Sequence, residues 1–429
     1  MPQPHATAPV LLVLGAGSQP YKEHCLDRIA AVHPVVLVDD SAPQWASPYL
    51  AGHLGVELRA SDQVAAAVKE FAAERPVAGV MTYMEPNVEL AARLAQNLGL
   101  PGLTPEAAIA CRDKAETRRL LSLHRVPSAR FWYAEREQDA VGFAHQLGFP
   151  VVVKPRGLGG SAGVRLADTP AAVRAAFRIA AGATILGLSA ASLPGCLVEE
   201  YLDGEEISAE TVVVRPGQAS IVAVTRKVLG PEPTFLETGH SVRADDPLLR
   251  DHALQDVVRR AVDALGITCG LFHIELRLTG RGPRVIEVNA RLGGDLIPRL
   301  VELALGVDLP AAAAALATGA EPDLTPRAEA AAAIRFAYPR RSGRIGELSV
   351  SSPDQPGMDA CEPWLDRLVL TQQTGSYVWA PPLSSIDDRL AHWVVQGPDA
   401  AVCSQRLDDI ADRLVATIDA PLHITACVQ

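Results

Sequence analysis

Short apolar runs, each leading into a helical segment, constrain this chain more than any other feature. Residues 10–14 are wholly apolar and end in Gly15-Ala16-Gly17; residues 35–38 end in Asp39-Asp40; residues 77–82 lead into a helix over 85–98 that Gly99 closes. A continuously apolar strand is buried on both faces, and strand–helix alternation places parallel strands beneath helices. The N-terminal part is therefore expected to be α/β with a parallel sheet. Gly15 and Gly17 look like the start of a dinucleotide fingerprint, but Pro20 stands where the third glycine or alanine belongs. They are read as a tight turn after the first strand.

A break falls at Leu100-Pro101-Gly102-Leu103-Thr104-Pro105. Thr104 suits an N-cap and Pro105 a first helical position, so one basic, polar helix is expected through Leu123. Beyond it come a buried strand over 149–154, a glycine-rich loop over 157–163 and a helix over 171–181. Strands over 197–201 and 207–214 flank the turn signal Asp203-Gly204. Two further strands, 270–279 and 284–289, flank Gly280-Arg281-Gly282-Pro283. Helices over 297–305 and 310–317 are closed by Gly306 and Gly319. Past about Glu329 the chain reads as short strand-like pieces and turns.

Charge narrows the function. Lys and Arg total 39 against 50 Asp and Glu, a formal net charge of −11. That argues against a nucleic-acid binder whose affinity rests on phosphate neutralisation, while leaving room for a local basic pocket. The seven cysteines, at 25, 111, 196, 269, 361, 403 and 427, form no CxxC pair. Neither a zinc ribbon nor a redox dithiol is signalled, and the scattered set fits buried free thiols in a reducing compartment. No Lys or Arg precedes the first apolar run, unlike a secretory signal. The longest uncharged stretch, 179–198, is broken by Gly182, Gly187, Pro194 and Gly195, which argues against a membrane span. A cytoplasmic protein without nucleic-acid or membrane partners is expected.

The chemistry-bearing residues gather in the last hairpin. In residues 272–279, Phe272, Ile274, Leu276 and Leu278 share one face, and His273, Glu275 and Arg277 the other. In residues 285–291, Ile286 and Val288 point one way, and Glu287, Asn289 and Arg291 the other. Pairing across a turn near Arg281 sets Glu275 opposite Glu287, an arrangement eased by a cation between them or by protonation of one. Glu, Glu and Asn are hard oxygen donors of the kind Mg²⁺ takes. A solvated face with incidental acids fits the spacing as well. Upstream, Lys154 ends an apolar strand and Gly157-Leu158-Gly159-Gly160-Ser161-Ala162-Gly163 follows at once. Glycines let backbone N–H groups approach an anion, and Lys adds charge. This is not a Walker A loop, because the Lys precedes the glycines.

In this order the motifs resemble the ATP-grasp superfamily of carboxylate–amine ligases, most nearly the L-amino-acid ligase and carnosine-synthase group. The resemblance covers roughly residues 100–310: Asp113-Lys114, GFPVVVKPRGLGGSAGV, LVEEYLDGEEISAE, TFLETGH and LFHIELRLTGRGPRVIEVNARLGGDLIP. It implies an α/β ATP-grasp fold in four parts. These are a Rossmann-like N-terminal domain (1–103), a small central lobe (104–200), a large lobe with the metal site (201–328) and a C-terminal region packed with the large lobe (329–429). It implies ATP and Mg²⁺, with Mn²⁺ as a substitute, as cofactors. Position by position, Lys114, Lys154, Gly159, Gly160 and Ser161 fall to the phosphates. Glu199, Glu200, Tyr201 and Leu202 fall to the adenine hinge, and Glu206 to the ribose hydroxyls. Glu275, Glu287 and Asn289 become metal ligands. Arg291 steadies the transferring phosphoryl group, for which a permanent planar cation is suited. Lys154 joins Arg291 in the catalytic assignment.

The resemblance also places Glu237, His240, Arg243, Arg291, Gly293 and Gly294 toward an amino-acid-like substrate. Relatives often carry a proline after this His, where Ser241-Val242-Arg243 stands here. The implied reaction joins a carboxylate and an amine through an acyl phosphate, releasing ADP and phosphate. The alternatives are a purine-pathway or biotin-carboxylase-like ATP-grasp ligase, and a non-catalytic nucleotide-binding module. Small molecules are the expected partners, and a homodimer is compatible with the family.

Overall fold

The computed structural model describes residues 8–185, 188–351 and 362–419. Cys361, Cys427 and Gly187 lie outside them. The chain forms two compact units, one of residues 1–131, 202–225 and 245–328, the other of 132–201, 226–244 and 329–429.

The first unit opens with a four-stranded parallel sheet, ordered Leu50–Gly55, Val35–Asp39, Val10–Leu14, Val77–Met81. Val10–Leu14 is buried at every position, and Val10, Leu12 and Leu14 pack with Val64 and Val68 of the helix Ser61–Glu74 and Leu90 and Leu94 of the helix Val88–Asn97. Gly15 and Gly17 have φ of +80° and +73°, and a Cβ on Gly15 would fall 2.6 Å from Asn87 Nδ2. The glycines are thus a tight turn packed against side chains, as expected. The edge strand Leu50–Gly55 was not anticipated, because glycines dilute its apolar run and only alternate residues are covered.

The single helix expected after Thr104 is in fact two, Pro105–Arg112 and Lys114–Leu123. Thr104 Oγ1 caps the first through Ala107 N–H at 3.2 Å. Asp113 is extended and caps the second through Ala115 N–H at 3.0 Å. A side chain that competes for backbone N–H groups starts a new helix more readily than it continues one. The break makes Lys114 the first residue of the second helix.

The strands Glu205–Val213, Gly270–Thr279 and Gly282–Asn289 pair antiparallel side by side. Their apolar faces, with the helix His252–Ala264, form a core that includes Ile207, Phe272, Ile274, Leu276, Val285 and Val288. Val285, not the expected Ile286, points into this core. Glu275 pairs with Glu287 while Leu276 pairs with Val285, so Ile286 is an extra residue in a bulge that shifts the alternation by one. Arg118 donates to the Ile286 carbonyl at 2.6 Å.

On the helix Ile297–Leu305, Glu302 accepts hydrogen bonds from Arg28 and Arg299, with His24 3.5 Å away. Burial pulls this carboxyl upward, but the two guanidinium bonds and the His24 charge outweigh it and hold it below the usual range. A folded-state value below the unfolded one gives stabilisation that is present above about pH 4.3 and lost as pH falls through the folded value. Glu302→Gln should therefore flatten the acid limb of the melting temperature against pH, followed by circular dichroism. An unchanged limb would place the acid sensitivity in other carboxylates.

In the second unit the strands run Phe131–Ala134, Cys196–Glu200, Val151–Pro155, Arg165–Ala167. The helices Glu137–Leu147 and Pro170–Ala181 pack on them through Ala140, Ala144, Val153, Val173, Ala176 and Val198. C-terminally, Ala331–Ala337, Ala391–Gly397 and Leu365–Leu370 pair antiparallel around the buried Trp393. The helix Ala400–Ala411 also contributes to this core; it was not anticipated, although Asp399 is an N-cap. Cys25, Cys111, Cys196 and Cys403 are buried free thiols, and Cys269 is half-buried. No single helix among the described residues is long and apolar enough to cross a membrane.

Candidate active site

In the first unit the three paired strands carry one polar face, and its rows follow from register. Ser208, Glu275 and Glu287 form one row; Glu210, His273 and Asn289 form the next; Glu206 lies beside Arg277. Glu275 and Glu287 are direct cross-strand partners, the arrangement expected from the alternation and the turn. Lys114 Nζ lies 2.9 Å from Glu287 Oε1, and Asn289 Nδ2 lies 3.3 Å from Glu275 Oε1. The helix break at Asp113 is what brings Lys114 here. Two opposed carboxylates with an amide alongside are a hard-oxygen donor set, and they fit a divalent cation such as Mg²⁺.

Behind this row lies a buried network that the sequence did not reveal. His273 Nδ1 is 3.0 Å from Glu210 Oε1, and its Nε2 is 3.3 Å from Glu275 Oε1. Glu210 is 0% exposed and accepts from Ser208 Oγ at 2.8 Å and Thr225 Oγ1 at 3.1 Å. Burial alone would raise the Glu210 carboxyl; the His273 charge and these hydrogen bonds outweigh it and lower it. The network links one face of Glu275 to the sheet interior. A Cβ on Gly293 would fall 3.2 Å from Glu210 Oε2, so the small residue allows that close approach, while Gly294 faces open space.

Two further residues carry partners missed in the sequence. Arg277 binds Glu206 Oε2 through Nε at 3.0 Å and Nη2 at 2.9 Å, and reaches the Gly204 carbonyl at 3.0 Å. Arg291 Nε bonds Glu85 Oε2 at 2.8 Å, and Arg112 Nη1 bonds Glu85 Oε1 at 3.1 Å. Burial would raise the Glu85 carboxyl, but Arg291, Arg112 and Lys114 together hold it below its usual range. Arg291 also lines a cavity of about 100 Å³ with Thr82, Cys269, Phe272 and Leu292. In sequence these partners lie far apart, and none of the motifs contains Glu85.

The second unit holds the remaining candidates. Lys154 Nζ pairs with Glu199 Oε2 at 2.8 Å, both about 5% exposed. Cys196–Glu200 runs antiparallel to Val151–Pro155, which brings the Lys and the Glu together. Glu200 is buried and Tyr201 half-buried at the end of that strand. In the glycine loop, Gly160, Ser161 and Gly163 all have positive φ, and Gly159 has open space at its Cβ position. Leu158 anchors the loop against Ile185 and Ala190. Glu237 accepts from Lys227 Nζ at 2.7 Å, and His240 Nε2 lies 3.6 Å from Glu237 Oε2. His240 packs edge-on against Phe336. Arg243 ends the same strand, opposite Ala331.

Comparison with known proteins matches residues 147–299 to the ATP-grasp domain and residues 30–102 to the ATP-grasp N-terminal domain. Human carnosine synthase 1 is 29% identical over 346 residues, which are 75% of this chain and 41% of that protein. The chain thus spans less than half the length of that relative. Phosphoribosylamine–glycine ligase of Streptomyces coelicolor is 29% identical over 337 residues, 74% of each chain. Among solved structures, the L-amino acid ligase from Bacillus licheniformis superposes with a TM-score of 0.77 at 21% identity, covering 96% of this chain and 99% of that one. At that identity the superposition shows the shared fold.

Proposed function

Because the chain belongs to the ATP-grasp superfamily of ligases, we propose that it forms a peptide-type amide between amino acids or amino-acid-like substrates, releasing ADP and phosphate. The observation that carries this reading is the direct opposition of Glu275 and Glu287, with Lys114 and Asn289 in hydrogen-bond reach. Glu275, Glu287 and Asn289 would hold Mg²⁺ or Mn²⁺, which when bound neutralises phosphate charge as a Lewis acid. Lys114 in the first unit, and Lys154 with Gly159, Gly160 and Ser161 in the second, are assigned to the phosphates. Glu199, Glu200, Tyr201 and Leu202 are assigned to the adenine, and Glu206 to the ribose.

A carboxylate oxygen of the acid attacks the γ-phosphorus of ATP. The bond to the ADP oxygen breaks, leaving an acyl phosphate. The amine nitrogen then attacks the acyl carbon, phosphate leaves, and the nitrogen gives up a proton. Arg291 steadies the charge on the acyl phosphate, and Glu85 orients its guanidinium. No covalent enzyme nucleophile is needed, because positioning and preorganised charge supply the acceleration. Glu237, His240, Arg243, Gly293 and Gly294 are assigned to the substrate side.

The alignment over 74% of each chain favours a second reading, the joining of glycine to phosphoribosylamine. A phosphate-release screen over pairwise amino-acid mixtures, with glycine plus phosphoribosylamine as one arm, separates the two by mass spectrometry of the products. Release with amino-acid pairs supports the first reading, and release in the phosphoribosylamine arm alone supports the second. Nucleotide binding without ADP release in any arm would make the chain a non-catalytic module. Arg291→Ala turning over at the wild-type rate would remove Arg291 from the chemistry.

A further inference from the structure

The cavity beside Arg291 lies within the first unit, where two helices meet the start of the strand Gly270–Thr279. Ala91 and Ala92 of the helix Val88–Asn97 and Ala313 of the helix Leu309–Ala317 line it, with Cys269 and Leu271 at the strand's beginning. Strand alternation puts Leu271 on the same face as His273 and Glu275. Each step along that face is about 7 Å, so Leu271 lies one step past the His273–Asn289 row and two past the Glu275–Glu287 pair. Arg291 follows Asn289 by two residues and forms part of the cavity wall.

Only three side chains of the wall are polar, Thr82, Cys269 and Arg291. Thr82 Oγ1 is occupied, donating to the Leu14 carbonyl at 2.8 Å and accepting from the Met84 N–H at 2.9 Å. Burial raises the Cys269 thiol above its usual range, so it stays protonated at neutral pH. Arg291 gives Nε to Glu85 and Nη1 to the Leu292 carbonyl, and its Nη2 makes no hydrogen bond among the described residues. A guanidinium with one donor group to spare thus borders an apolar space of about 100 Å³. For scale, a cavity of about 150 Å³ takes a benzene ring, so this one takes about four carbons. A charged or hydrogen-bonding group inside it would give up water without gaining a partner.

We propose that this cavity receives the side chain of the acid whose carboxyl group Arg291 holds, which makes the acyl donor a short aliphatic amino acid of the size of valine, leucine or isoleucine. This rests on the amide-forming reading above.

The test measures phosphate release by the full-length wild type, Ala92→Leu and Ala313→Leu, which fill the cavity from different helices. The donors are glycine, valine, leucine, isoleucine, phenylalanine and aspartate. Glycinamide, which has no carboxylate to activate, serves as the amine. One methylene in an apolar pocket is worth about 10- to 200-fold, so the wild type should favour an aliphatic donor over glycine by at least about 10-fold in kcat/KM. Either variant should cut that ratio about 10-fold or more. General damage to the fold would lower all donors together and leave the ratio where it was. A wild type that prefers glycine, phenylalanine or aspartate, or a ratio unchanged in the variants, overturns the proposal. A second series holds leucine as donor and compares glycinamide with leucinamide as the amine. If the variants change that ratio and not the donor ratio, the cavity serves the amine and the proposal falls. If no pair releases phosphate, the amide-forming reading falls by itself. Calorimetry of leucine and glycine against wild type and variants still decides then: leucine binding lost in the variants supports the cavity, and no binding or equal binding sinks it.

Discussion

Glu287→Gln is expected to give a folded protein whose ATP-driven phosphate release is about 10²- to 10³-fold slower, the scale of several kcal/mol of lost charge stabilisation. The substitution keeps shape and one acceptor oxygen while removing the charge opposite Glu275. Two effects on stability oppose each other. Like charges directly across a sheet are unfavourable, so relief is worth about 0.2–1 kcal/mol. The 2.9 Å contact with Lys114 falls from an ion pair to a neutral hydrogen bond, a loss of about 1 kcal/mol. The melting temperature should therefore stay close to wild type while activity collapses. Phosphate release measured over a Mg²⁺ titration, beside a circular-dichroism melt, separates the two. Turnover at the wild-type rate at saturating Mg²⁺ would show that Glu287 holds no metal.

The Glu275–Glu287 opposition was legible because it needs only the period of two and a short turn, both local properties of the chain. The Thr104 cap was legible for the same reason. Ile286 shows where this reasoning stops. A bulge adds one residue to one strand, and nothing in the local alternation of Arg284-Val285-Ile286-Glu287 announces it. Asp113 was visible as a residue but not as a boundary, because an isolated Asp inside a polar helix pattern reads as solvated surface until its side chain is seen to cap.

The buried partners were harder still. Glu85 with Arg291, Glu210 with His273 and Glu206 with Arg277 are each joined by tertiary pairing over 206, 63 and 71 residues. Glu206 and Glu210 sit on the polar face of Glu205–Val213, whose alternation places them there only once its neighbour Gly270–Thr279 is known. One sheet face thus holds both acids that are internally compensated and acids assigned to the cation. Glu210 has a histidine and two hydroxyls. Glu275 and Glu287 have each other, with His273, Asn289 and Lys114 at the margins.

Arg277→Met should destabilise the first unit by about 3–5 kcal/mol, the usual cost of leaving one member of a buried ion pair behind. Arg277 is 6% exposed, and the Glu206 side chain it binds is 9% exposed. Methionine can fill the space of the stem but takes the guanidinium away from the buried Glu206 carboxylate, and leaves the carbonyls of Leu202 and Gly204 without the Arg277 donor they now share. The entry to the strand tolerates little adjustment, since a Cβ on Gly204 would lie 2.1 Å from the Leu278 carbonyl oxygen. Urea unfolding measures the loss. Adding Glu206→Leu to Arg277→Met should restore a large part of it, because an apolar pair replaces a stranded charge. The same pair of variants tests the ribose assignment. If Glu206 serves only to anchor Arg277, the double variant recovers both stability and the KM for ATP; if it also binds the ribose, stability returns and KM stays high. An Arg277→Met protein that unfolds at the wild-type urea concentration would mean that the Leu202–Gly204 turn is held by something other than this guanidinium.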